Sequence, residues 1–339
     1  MITISNAKFS SALRPIKEHV KNTSKVVDCS GSALLIIKND EVVLEEYWGK
    51  HSKDRDARKI QGNTQFHIAS VRKSYIGFTV AYAVYKGYIE SIDDLVTKYH
   101  STSEPQLFKD TTLRHLLTHT HGLKYSEGKI QREFFPGESW EYRGIGIDTL
   151  TKIVENVTGK TVAEILTEQV FNKLNFQETG WYAEMNKNLV EVIREPNDSS
   201  WYNGKSTAGD ERNMYVSARE LAKWGSLHLK KGFMDGNQII PSEIINLVAS
   251  LQSPESINDN LPQNGFLWFV KDLPAKKSEI GELVPKGAFQ ILGYTGVTLL
   301  VIPQHNVVAV RAFNSFGSPD GYDYLADVRS FGDTIIQCL

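Results

Sequence analysis

Phe66-His67-Ile68-Ala69-Ser70-Val71-Arg72-Lys73 is the stretch around which the rest of the chain is organised. From Ser70 the run to Ile89 carries apolar residues at Ile76, Val80, Ala83 and Val84 and no proline, a spacing that predicts a buried helix ending near Gly87. Ser70 then lies in the first turn, and Lys73, three positions on, projects from the same face. A serine hydroxyl is a weak nucleophile until a neighbouring base takes its proton. Lysine can be that base only where burial or nearby positive charge keeps it partly neutral. The helix N-terminus adds backbone N–H groups aimed at developing negative charge. Standing alone, Ser-x-x-Lys more often describes a serine cap beside an exposed lysine, so its meaning depends on the rest of the chain.

Upstream, a helix is expected at about Lys8 to Asn22, then a hairpin of Ala33 to Lys38 and Glu41 to Trp48 around Asn39-Asp40. Downstream, Thr112 to His119, Asp148 to Thr158, Thr161 to Leu174, Ala218 to Leu229 and Pro241 to Leu251 have helical spacing. After Gly265 the period shortens, and Phe266 to Val270, Ala288 to Leu292, Val297 to Ile302 and Val307 to Phe313 are expected as strands before a closing helix from Tyr322. Strands at both ends around a helical middle imply an α+β fold. Residues 1–65 and 265–339 would form a sheet-containing subdomain, with residues 66–264 inserted as a mainly helical one. Ser253 to Gln263 and Asp272 to Lys286 are the candidate flexible stretches.

At 339 residues the chain can bury a large core, and its 38 basic and 40 acidic residues form no block of like charge. That balance points away from nucleic acid or a membrane surface as partner. The two cysteines, Cys29 and Cys338, stand at opposite ends in no metal-ligand or redox spacing. The first twenty residues lack the apolar core of a signal peptide, and no stretch reaches the roughly 20 apolar residues of a membrane span. A cytoplasmic protein with a small-molecule substrate is expected.

Two further segments could complete a site. Phe134 to Tyr142 makes a turn and an aromatic wall, then places Tyr142 just before a helix. Tyrosine serves as a base only if cations lower its pKa, which Lys73 could do, and otherwise Tyr142 is one wall tyrosine among 14. Gly293-Tyr294-Thr295-Gly296-Val297 opens a strand whose small residues let a substrate lie against its edge.

In this order and spacing the three segments resemble the serine β-lactamase-like superfamily, in its class C β-lactamase, D-alanyl-D-alanine carboxypeptidase and esterase branch, which includes penicillin-binding-protein-like members. Leu113-Arg114-His115-Leu116-Leu117-Thr118-His119-Thr120-His121-Gly122-Leu123 is similar to a further family block, as are Pro136 to Tyr142, Val154 to Lys160, and Ala208-Gly209 with Ser217 to Ala222. The likeness spans about Ser32 to Asn314. It implies a β-lactamase/transpeptidase-like fold, an antiparallel sheet flanked by helices with a helical insert. It also implies that Ser70 is acylated, that Lys73 and Tyr142 share the proton traffic, and that the N–H groups of Ser70 and Val297 form the oxyanion hole. No metal or organic cofactor is implied.

The departures bear on substrate. Where relatives have Tyr-x-Asn, with the asparagine holding a substrate amide, this chain has Gly144. Where many relatives have Lys-Thr-Gly or His-Thr-Gly, it has Tyr294-Thr295-Gly296, a neutral donor in place of a cation for a substrate carboxylate. A charge-assisted contact is worth about 1.5–3 kcal/mol against about 0.5–1.5 for a neutral one, so the loss disfavours β-lactams and wall peptides. Arg143 could supply a replacement charge. Hydrolysis of an ester or small amide is therefore expected, with β-lactamase or penicillin-binding carboxypeptidase activity as the alternative and a non-catalytic binding protein on the same fold as a second. His115, His119 and His121 have a spacing that can bind zinc, but the family block accounts for the first two without metal. Gly209 to Asn213 is a polar cluster that either lines the cleft or is a solvated turn.

Overall fold

Val307 to Phe313 is apolar at six of its seven positions, so neither face of that strand suits water, and two layers of helix cover it. In the computed structural model, which describes residues 3–4, 11–102, 104–195, 198, 201, 204–255 and 257–339, this strand sits in the middle of a seven-stranded sheet. We label the main strands β1 (Gly31–Lys38), β2 (Glu41–Gly49), β3 (Gln65–His67), β4 (Met214–Ser217), β5 (Phe269–Val270), β6 (Phe289–Gly293), β7 (Val297–Ile302) and β8 (Val307–Phe313). The sheet runs from Thr3–Ile4 through β2, β1, β8, β7 and β6 to β5, antiparallel except for the first pair. It is the β-lactamase/transpeptidase-like α+β fold.

Alternation along each strand divides the side chains between two cores. Leu34, Ile36, Leu300, Ile302, Val307 and Ala309 face helices α1 (Arg14–Val26) and α6 (Tyr324–Cys338), built from the two ends of the chain. Ala33, Leu35, Ile37, Leu299, Val301, Val308 and Val310 face the other way, towards α2 (Lys73–Tyr85) and α4 (Ala218–Leu229). That second core continues without a break into α3 (Ile145–Thr158) and α5 (Ser242–Ala249). The expected boundary of a 66–264 insert is therefore not a boundary in packing, because α4 lies directly on β7, β8 and β1.

Several expected elements are shorter, for local reasons. Part of the first expected helix falls on residues 8–10, outside the described residues, and α1 begins at Arg14. The helix after Thr112 stops at Leu117, two residues before His119, whose φ of 59° no α-helix accommodates. Its N-terminus is closed by Thr112 and His115 in a capping box. The helix from Thr161 widens over Thr167–Phe171 and ends at Asn175, φ 52°. Leu267 at φ 66° leaves only Phe269–Val270 extended in the strand expected from Phe266. A small sheet of β3, β4 and Thr179–Trp181, and a hairpin of Leu123–Ser126 with Lys129–Arg132, were not anticipated. Among the described residues no helix is long and apolar enough to cross a membrane, and Cys29 and Cys338 are free.

Candidate active site

β3 fixes where Ser70 sits. Its residues pair with β4, Phe66 opposite Val216 and His67 opposite Tyr215, and the Ile68 amide donates to the Met214 carbonyl at 3.1 Å. The chain then turns through Ala69 at φ 46°, a conformation that costs an L-residue about 1–2 kcal/mol, into a tight 3₁₀ turn over Ala69–Arg72. Lys73 follows as the first residue of α2, a helix buried on nearly all sides. The β6–β7 hairpin locks this turn from the sheet side. Thr295 donates its hydroxyl to the His67 carbonyl at 2.6 Å, and Gly293 lies so close to Ile68 that a Cβ there would stand 2.3 Å from the Ile68 oxygen.

Ser70, Lys73 and Tyr142 come together on one cavity of about 530 Å³. Ser70 lies close enough to the Tyr142 phenol to act on its pKa, and the Lys73 Nζ lies 3.6 Å from the centre of the Tyr142 ring. Lys73 is only 5 % exposed, and burial, reinforced by the guanidinium charges of Arg72 and Arg212, pushes its pKa well below the usual lysine value, with Asp148 opposing. Tyr142 faces the cavity rather than bulk water, and burial pushes its phenol up to about 12 despite the nearby Ser70 hydroxyl and the Arg72 charge. His119 packs against the Tyr142 ring at 4.5 Å, buried and held well below the usual histidine value by burial and by Lys73. Trp140, fixed by its Nε1–H on Asn264 at 2.8 Å, and Phe269, stacked on Tyr142 at 6.1 Å, complete the wall.

The other expected site residues divide. Tyr294, 42 % exposed, lines the cavity beside Phe316 and Tyr324. Thr295 is fully buried and holds the hairpin, and Gly296, φ 81°, packs on Phe313. Val297 is fully buried at the start of β7, opposite Gly293, and β7 packs against the turn that carries Ser70. Arg143 donates its guanidinium to Glu133 at 3.0 Å and does not line the cavity.

The cavity's cations besides Lys73 are Arg72, whose pKa burial lowers to about 10, and Arg212. Arg212 occupies the space above Gly144, where an added Cβ would meet its Nη2 at 3.5 Å. Of the polar cluster 209–213, only Arg212 faces the cavity, because Glu211 accepts from the Ser206 amide at 2.7 Å and Asn213 donates to the Tyr182 carbonyl at 2.9 Å. Glu279, also on the cavity wall, carried no signal in the sequence, whereas Arg72 stands inside Ser-x-x-Lys and could have been weighed there. Among the described residues no group of three or more His, Cys, Asp or Glu side chains is placed to hold a metal, and His115 Nδ1 accepts from the Thr112 amide at 3.0 Å.

The β-lactamase family profile matches residues 16–331. The chain belongs to the β-lactamase family. It is 64 % identical over 334 residues to an uncharacterized protein of Alkalihalophilus pseudofirmus, covering 98 % of each chain. It is 26 % identical over 187 residues to Esterase EstB of Burkholderia gladioli, covering 44 % of this chain and 47 % of that one. Among solved structures it superposes on a penicillin-binding protein homolog from Caulobacter crescentus with a TM-score of 0.75 over 98 % of both chains at 16 % identity, a likeness of fold.

Proposed function

We propose that this serine hydrolase acts through an acyl-enzyme on an ester or small amide. The observation that carries it is the Lys73 amine, buried and depressed in pKa, lying over the ring of Tyr142 on the cavity that Ser70 also lines. In the first step Ser70 Oγ attacks the carbonyl and its proton passes to neutral Lys73. Tyr142, protonated up to about pH 12, is suited to donate to the leaving group rather than to serve as resident base. Lys73 then returns its proton to the Tyr142 phenolate, neutral Lys73 takes a proton from the entering water, and that proton passes to Ser70 Oγ as the acid is released. The oxyanion is assigned to the N–H groups of Ser70 and Val297, the second opening β7 where that strand packs against the turn that carries Ser70. The partial likeness to Esterase EstB is consistent with an ester substrate.

Arg72 and Arg212 on the wall favour a second substrate reading, since either can hold the carboxylate of a β-lactam that neutral Tyr294 cannot. Initial rates on 4-nitrophenyl acetate and nitrocefin decide between them. Ester hydrolysis well above nitrocefin hydrolysis is expected, and the reverse order would overturn the preference.

A further inference from the structure

The loop between β5 and β6 carries a carboxyl group that the proposed chemistry does not use. Glu279 is 9 % exposed and lines the same cavity as Ser70. Its Oε2 is buried with no hydrogen-bond partner, and no ion pair to it is formed among the described residues. A buried, unpaired carboxyl is costly unless something arrives to satisfy it. The loop is not free to withdraw it. Gln290 donates to the Glu279 carbonyl at 2.9 Å, Lys271 Nζ donates to the carbonyls of Gly281 and Glu282 at 2.7 and 2.8 Å, and Ile280 and Val284 are buried in the core.

The surroundings are aromatic. Glu279 acts electrostatically on both Tyr142 and Tyr324, and Phe269, paired in the sheet with Gln290, stacks on Tyr142. The guanidiniums of Arg72 and Arg212 belong to the helical side of the cavity, near Asp210 and Gly144, so the sheet side has the opposite polarity. A carboxyl beside π-faces is the chemistry that recognises an ammonium group. We propose that Glu279, with the rings of Tyr142, Phe269 and Tyr324, forms a subsite for a cationic amine on the substrate. This names the substrate class of the acyl-transfer site, a cation-bearing ester or amide, and it rests on the function proposed above.

Burial pushes the Glu279 pKa up to about 7, only partly offset by the charge of Arg329, so the subsite gains its negative charge as pH rises through neutrality. The Tyr142 phenol stays neutral up to about 12, and burial pushes Tyr324 higher still. Protonation of Lys73, which lies over the Tyr142 ring, would lower the same ratio by repelling the cation, and Glu279→Gln, which leaves Lys73 in place, separates the two contributions.

The test compares 4-nitrophenyl 4-(trimethylammonio)butyrate, whose charge is permanent, with its carbon isostere 4-nitrophenyl 5,5-dimethylhexanoate. The ratio of their kcat/KM values should be about tenfold or more in favour of the cation at pH 8, as expected of one charge-assisted contact, and should fall towards parity by pH 5.5. Glu279→Gln, which keeps size and hydrogen bonding, should bring the ratio near one at both pH values, whatever it does to the absolute rates. Calorimetric binding of phenyltrimethylammonium at pH 8 should weaken about tenfold in the same variant, and this arm needs no turnover. A ratio unchanged by Glu279→Gln, a preference for the neutral ester at pH 8, or cation binding equal in the two proteins would overturn the subsite. Failure of the protein to hydrolyse either ester would count against the acyl-enzyme reading, and calorimetry would still decide the subsite.

Discussion

Asp327 ties the two ends of the chain together on one face of the sheet, and replacing it with asparagine should cost most of what a buried ion cluster can cost. Its carboxylate forms an ion pair with Arg311 Nη2 on β8 at 2.5 Å, lies 3.2 Å from His19 Nε2 on α1, and accepts from the hydroxyls of Thr23 on α1 at 2.6 Å and Tyr322 at 2.8 Å. Arg311 is fully buried, so Asp327→Asn leaves its charge without a counter-ion, a change worth about 3–5 kcal/mol. At roughly 2.1 cal/mol/K per residue the chain's unfolding entropy is about 0.7 kcal/mol/K, and Tm should fall by about 4–7 °C. The effect has a pH signature. Burial alone would raise the Asp327 pKa, but the hydrogen bonds from His19 and Thr23 and the charge of Arg311 outweigh it and hold the group well below the usual carboxylate range. A depressed pKa contributes stability that is present above the unfolded value of about 3.9 and is lost as pH falls below it. The gap in Tm between the two proteins should therefore be full at pH 7 and narrow on going to pH 3. Because Tyr324 and Leu325 at the start of α6 line the cavity, the variant should also weaken ester turnover as that helix end loosens. A gap below about 1 °C at pH 7, or one of equal size at pH 3, would refute the assignment of this cluster.

Lys73→Ala and Tyr142→Phe should each slow acylation by roughly two to four orders of magnitude in stopped-flow measurements, with the double variant far less than additive because the two act on one proton path. Arg212→Gln removes a charge that keeps Lys73 neutral, so the Lys73 pKa rises and the acid limb of kcat/KM should move to higher pH. The same variant should lower acylation by labelled benzylpenicillin by about tenfold or more, whereas Arg143→Ala, whose side chain is engaged with Glu133, should leave it within a small factor.

Ser70, Lys73 and Tyr142 were legible because the first two are tied by one helical turn and the third by a compact turn before a helix, both local relations that spacing records. The buried strands were legible for a similar reason, since a run such as Val307 to Phe313 has no polar face to present to water. The hairpin strands expected at Ala288 to Leu292 and Val297 to Ile302 match β6 and β7 to within a residue, but the docking of Gly293 against Ile68, which seats the hairpin on the Ser70 turn, is a contact that spacing does not record. Proximity in sequence misled for Arg143, which follows Tyr142 yet turns to Glu133, while Arg212, seventy residues on, stands over Gly144. Glu279 belongs to no periodic segment and no motif, and its place depends on a loop pinned by the side chains of Lys271 and Gln290 on either side of it. β3 and β4, of three and four residues, are too short for alternation to mark them.

The most direct test of the central claim is intact-mass spectrometry after exposure to a fluorophosphonate, run on the unmodified protein and on Ser70→Ala, with 4-nitrophenyl acetate turnover followed in parallel. A single adduct mapping to Ser70, absent from the variant together with its turnover, is the expected result. An adduct or ester hydrolysis that survives in Ser70→Ala would place the nucleophile elsewhere and contradict the account.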